Sequence, residues 1–92
     1  MNLDKSKKRI AKKIKMGFQG YPELSINYVL DEQAVAKKVL VTLILEEGVE
    51  PLEESLNSDD DARENEVIQS AIVKMIERSD AKTVKQSECP NR

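Results

Sequence analysis

Three short stretches hold most of the side chains with which this chain can do chemistry. "SDDDARENE" places Asp59, Asp60, Asp61 and Glu64 within six residues, the residue types that hold divalent cations or exchange protons. "KSKKRIAKKIK" places Lys5, Lys7, Lys8, Arg9, Lys12, Lys13 and Lys15 within eleven, a set suited to phosphate oxygens. "GFQGYPE" sets Phe18 and Tyr21 among two glycines and a proline, where aromatic rings can close a core or stand at a contact site.

What is missing narrows these choices. Histidine is absent and Cys89 is the only cysteine. Ser-His-Asp and Cys-His catalysis within one chain are thereby excluded, as are an internal disulfide and a Cys/His zinc site. An EF-hand loop needs a glycine at its sixth position, and no glycine follows Gly48. A weak cation site from Asp59, Asp61 and Glu64 is the remaining metal reading. Helix capping by Ser58 and the aspartates explains the same residues more simply. The expectation is no metal, no cofactor and no enzymatic activity.

The glycine stretch matches the bare GXXG pattern of KH domains, whose loop clamps a nucleotide backbone. Here a strand-like "YPELSINYV" follows at once, and Phe18 and Gln19 carry no positive charge at the variable positions. The RRM signature fails too, because Met16 interrupts it and Gln19 stands where a small residue belongs. The turn of a hairpin accounts for more: Gly20 tolerates positive φ, and Pro22 holds Tyr21 extended.

Charge is the strongest pattern. Residues 1–16 carry the seven cations against Asp4 alone, whereas residues 46–66 carry ten carboxylates against Arg63, although the whole chain is only −2. Blocks of like charge are usually solvated surface. Opposite blocks also attract, within one molecule or between two copies. The longest apolar run, Val39 to Leu45, is far short of the roughly 20 residues of a membrane span. No hydrophobic stretch follows the basic segment to make a secretory signal. A cytoplasmic protein that makes no membrane contact is expected.

The elements that must position these residues follow from periodicity. Val67, Ile68, Ala71, Ile72, Met75 and Ile76 fall on one helical stripe, predicting a helix over about 59–78 capped by Ser58. Residues 23–30 and 37–46 alternate as strands and are close enough to form a hairpin. Residues 12–18 fit a strand or a short amphipathic helix. Lysines near a helix N-terminus oppose the dipole, which favours a strand there, with residues 1–11 a basic arm or short helix. Residues 88–92 read as a tail, and "KTVKQ" can add a short last strand. Leu52 and Leu56 predict a helical turn or an acidic loop.

The expected whole is one small α+β domain over 12–87: an antiparallel three- to four-stranded sheet with one long amphipathic helix on one face. That leaves Leu40, Ile44 and Val29 on a second face, to be covered by Ile10 and Ile14, by a second copy in a homodimer, or by a partner. The leading functional expectation is stoichiometric binding of a protein or protein–nucleic-acid complex through Asp59, Asp60, Asp61, Glu64, Phe18 and Tyr21. Adaptors, inhibitors and small phage- or plasmid-type accessory proteins have this build. The alternative is nucleic-acid binding through the seven basic residues of the N-terminal segment. A carboxylate- and metal-dependent enzyme centred on Asp59, Asp61 and Glu64 is a distant third.

Overall fold

The computed structural model describes residues 2–90. Two helices lie on one face of a four-stranded mixed sheet. The elements are α1 (Leu3–Lys15), β1 (Glu23–Leu30), β2 (Ala36–Ile44), β3 (Leu52–Asn57), a 3-10 turn (Ala62–Glu64), α2 (Glu66–Ser79) and β4 (Thr83–Pro90). The strand order is β3-β2-β1-β4. β2 is antiparallel to both β1 and β3, whereas β4 runs parallel to β1.

The small α+β class agrees with expectation, but the sheet is mixed and there are two helices of similar length. β4 is parallel because α2 carries the chain back to the end of the sheet where β1 begins. A parallel neighbour needs such a crossover. The expected tail over 88–92 begins inside β4, and residues 91 and 92 lie outside the described part.

The largest correction is at the N-terminus. Residues 3–15 form one 13-residue helix, replacing both the expected basic arm over 1–11 and the expected strand over 12–18. The helix starts ahead of the lysine cluster, at Leu3. Asn2 caps it by accepting from the Lys5 amide at 2.9 Å, and Asp4 occupies the first turn. Lys12, Lys13 and Lys15 therefore fall in the last turn, where the macrodipole favours cations. The stretch Met16–Pro22 then joins a helix to a strand instead of closing a hairpin. Gly17 (φ +72°) turns the chain out of α1, and Gly20 (φ +104°) turns it toward β1.

A second correction concerns 59–78. The chain makes a 3-10 turn at Ala62–Glu64, and α2 starts at Glu66 with Asn65 as its cap. Asn65 accepts from the Ile68 amide at 3.0 Å. Ser58 instead donates to Asp60 at 2.9 Å. The buried stripe is Ile68, Ile72 and Ile76 with Gln69 and Val73, and Val67 is 77% exposed. A third correction is β3, which replaces the expected turn or acidic loop. Its residues lie beside β2 with Leu56 opposite Val39 and Leu52 opposite Leu43.

One core results. Leu24, Ile26 and Tyr28 on β1, Val39 and Val41 on β2 and Val84 on β4 point toward the helices, meeting Ile10 of α1 and Ile72, Val73 and Ile76 of α2. Burying each such side chain contributes about 1.5–3 kcal/mol. α1 and α2 run in the same direction: Ser6 meets Ser70 at 3.3 Å, Arg9 meets Glu77 at 3.0 Å, and Lys13 Nζ donates to the Ala81 carbonyl at 3.4 Å. Ile10 and Ile14 thus pack on the α2 side, so they do not cover the second sheet face. Ser25, Asn27 and Val29 of β1 and Leu40, Thr42 and Ile44 of β2 remain there, half-buried.

Candidate nucleic-acid interface

The seven cations of the N-terminal segment become two sets once α1 is formed. Helical spacing turns Ser6, Ile10 and Ile14 inward, and Lys7 and Lys13 flank them, half-buried. Lys7 Nζ donates to Glu64 at 2.7 Å, and Arg9 to Glu77 at 3.0 Å. Lys13 is held by the Ala81 carbonyl. Lys5, Lys8, Lys12 and Lys15 stand at i, i+3, i+7 and i+10, which is one stripe of a helix. All four are exposed, and none has an ion pair among the described residues. The stripe is a straight basic ridge about 15 Å long.

Beyond its C-terminal end lies the aromatic pair. Phe18 and Tyr21 pack edge to face, with ring centroids 5.6 Å apart and planes at 78°. Tyr21 is half-buried, whereas Phe18 is 59% exposed. The loop that carries them is clamped. Thr83, itself buried, accepts from the Gln19 amide at 2.8 Å and donates to the Gly20 carbonyl at 2.7 Å. Gln19 Nε2 donates to the Met16 carbonyl at 2.8 Å. The Lys82 side chain passes alongside Gly20, adding a cation at this end.

The acidic candidates sit at the opposite end of the sheet and are mostly engaged within the chain. Asp60 accepts from Asn65 Nδ2 at 2.7 Å and from the Ser58 hydroxyl, and these bonds hold its carboxyl below the usual carboxylate range. Asp61 caps the 3-10 turn through the Arg63 amide and takes the Arg63 guanidinium on both oxygens, at 2.8 and 2.5 Å. That hydrogen bonding lowers its pKa as well. Glu64 is the partner of Lys7. Asp59 accepts from Lys37 Nζ through its backbone carbonyl, and its side chain is exposed. The structure therefore does not bring Asp59, Asp60, Asp61 and Glu64 together with Phe18 and Tyr21 into one surface. Among the described residues, no three His, Cys, Asp or Glu side chains are grouped so as to hold a metal ion. No helix among them is long and apolar enough to cross a membrane.

No family model, curated protein or solved structure matches the chain.

Two residues that organise this end of the molecule carried no signal in the sequence. Arg63 donates to Asp61, to Glu88 at 2.9 Å and to the Ala34 carbonyl at 2.9 Å, joining the 3-10 turn to β4 and the β1–β2 turn. Asp61 and Glu88 raise its already high pKa further. Gln69, on the buried side of α2, donates to the Tyr28 hydroxyl at 2.8 Å and the Ala62 carbonyl at 2.9 Å. Burial pushes the Tyr28 phenol up, and the Gln69 bond opposes this in part. A lone Arg in an acidic run and a Gln in an apolar stripe look like surface residues until their partners are placed.

Proposed function

We propose that this protein is a non-enzymatic, stoichiometric binding protein whose macromolecular partner is nucleic acid, engaged through α1. The observation that carries this reading is the ridge of Lys5, Lys8, Lys12 and Lys15, exposed on one helix stripe with no acidic partner among the described residues. The remaining cations of the segment are already engaged by Glu64, Glu77 and the Ala81 carbonyl. The intramolecular engagement of Asp60, Asp61 and Glu64 weighs against the expectation that these carboxylates form the partner-contact surface.

Four cations set the size of the effect. The logarithm of the binding constant falls with the logarithm of salt at about −0.7 per neutralised phosphate for single strands and −0.9 for duplex DNA. Slopes of about −3 to −4 are expected. Anisotropy titrations of a labelled oligonucleotide over a series of salt concentrations measure them. Replacing all four lysines by glutamine should remove binding while leaving the chain folded, its melt lowered only by the loss of the Lys12 and Lys15 charges at the end of α1. No binding at low salt would rule the reading out.

A protein partner is the second reading. Its support is a set of exposed apolar side chains, Leu45 (45%) and Val49 (44%) on the β2–β3 turn and Leu52 (57%) at the start of β3. A nuclease-resistant partner whose capture is lost on replacing these three by serine would establish it.

A further inference from the structure

We infer that the nucleic acid taken by the α1 ridge is single-stranded, with an unpaired base stacked on Phe18. The inference rests on the nucleic-acid reading and adds to it the aromatic end of the ridge. Bases in a duplex are paired and stacked on each other, so a lone exposed ring beside a phosphate-binding stripe has a use only where bases are free. Proteins that bind single strands combine these two parts, a basic track for the backbone and an aromatic side chain for a base.

The placement fits. Phe18 is three residues beyond Lys15, so its Cα lies within about 11 Å of the end of the ridge. It is not a loose side chain on a loose loop. The Thr83 hydroxyl joins the Gln19 amide to the Gly20 carbonyl, and Gln19 reaches back to the Met16 carbonyl, fixing the backbone on both sides. Tyr21 meets Phe18 edge to face, an arrangement that supports the Phe18 ring from one side. Exposing 59% of a phenylalanine on a clamped loop forfeits apolar burial that a polar residue would not need. A ring held ready for a planar partner accounts for this. The Lys82 stem passes Gly20 and its residue is exposed, which keeps this end of the ridge basic.

The test compares a short labelled oligothymidylate with a duplex of equal length, using the native chain, Phe18→Ala and Phe18→Trp. The expected result is tighter binding of the single strand. Phe18→Ala should weaken that binding by about fivefold to a hundredfold, leave duplex binding unchanged, and be rescued by Phe18→Trp. A 2-aminopurine placed in the strand should lose fluorescence on the native chain and keep it on Phe18→Ala. If the native chain binds both forms equally, or Phe18→Ala weakens both alike, the stacking inference is overturned while the ridge stands. If the native chain binds neither form, the ridge reading has failed and the inference falls with it. Thermal melts of the variants establish that each is folded.

Discussion

The lysine-rich N-terminal segment and the aspartate cluster Asp59–Asp61 before α2 are both dense in charge, and the folded chain treats them in different ways. Asp60 and Asp61 have short side chains that reach only nearby groups. They hydrogen-bond Asn65, Ser58 and Arg63 within five residues of themselves, as aspartates in turns commonly do. The lysines have long side chains on a helix whose inner face is occupied by Ile10 and Ile14. Those on the flanks find Glu64 and the Ala81 carbonyl, and those on the outer stripe find water. Density of charge along a chain therefore does not say how much of it is free to meet a partner. Side-chain length and helical phase decide that.

The sharpest way to break this comparison is to neutralise each segment in turn and measure both binding and stability. Replacing Lys5, Lys8, Lys12 and Lys15 by glutamate should weaken oligonucleotide binding by at least about a hundredfold at moderate salt, while the chain stays folded with a melt lowered by the anions placed in the last turn of α1. Replacing Asp59, Asp60 and Asp61 by alanine should spare binding. Binding should stay within about threefold, shifted toward tighter because three repelling charges are gone. The melting temperature should fall, because the cap of the 3-10 turn and its ties to Asn65 and Arg63 are lost. If the aspartate variant loses binding while folded, the acidic run is the contact surface and the assignment of the two segments is inverted.

The next effect is smaller and belongs to the acidic end alone. Arg63→Ala removes a two-pronged bond to Asp61 and single bonds to Glu88 and the Ala34 carbonyl. Charge-assisted bonds of this kind, partly exposed, are worth about 1–2 kcal/mol together. For a domain of this size that lowers the melting temperature by roughly 4–16 °C, readable by circular dichroism. Oligonucleotide affinity should not fall, since Arg63 lies at the sheet end remote from Phe18. A loss of affinity in a folded Arg63 variant would extend the interface beyond the ridge.

What could be read from the sequence follows the same division. Strands β1 and β2 have alternation that only a sheet satisfies, and the apolar stripe of α2 has only a helical period. The α+β class follows from those three elements. α1 was obscured because its apolar positions, Ile10 and Ile14, also fit an alternating pattern with Met16 and Phe18, and because its start was set too late to see Asn2 as a cap. β3 was obscured because an edge strand facing solvent carries glutamates at strand positions. The parallel placement of β4 depends on where α2 ends, which no local pattern encodes. Of the candidate site, the identities of the lysines and of Phe18 were legible, but the separation of four free lysines from three engaged cations was not. It depends on Glu64, Glu77 and Ala81, which are 57 to 68 residues away in the chain.

The finest test of the comparison is pH, because the acidic end contains two carboxylates whose proton affinity the fold has lowered. Asp60 and Asp61 both have native pKa values below their ordinary range, caused chiefly by the Asn65 bond at Asp60 and the Arg63 bond at Asp61. A carboxyl that holds its proton less tightly in the folded chain than in the unfolded one stabilises the fold when ionised. That stability is fully present above the unfolded pKa of roughly 3.9 and is lost as pH falls through the lower native value. The native chain should therefore lose part of its stability as pH falls below about 4. An Asp60→Asn, Asp61→Asn double variant should start less stable at neutral pH, with the deficit shrinking as acid protonates the native carboxyls. Urea midpoints measured from pH 7 downward would show the two curves converging. The α1 ridge contributes nothing to this convergence, since its four side chains include no carboxyl. The four-lysine glutamine variant should run parallel to the native chain over the whole range. If it converged as well, the ridge would be coupled to the acidic end, and the two segments would be one electrostatic unit after all.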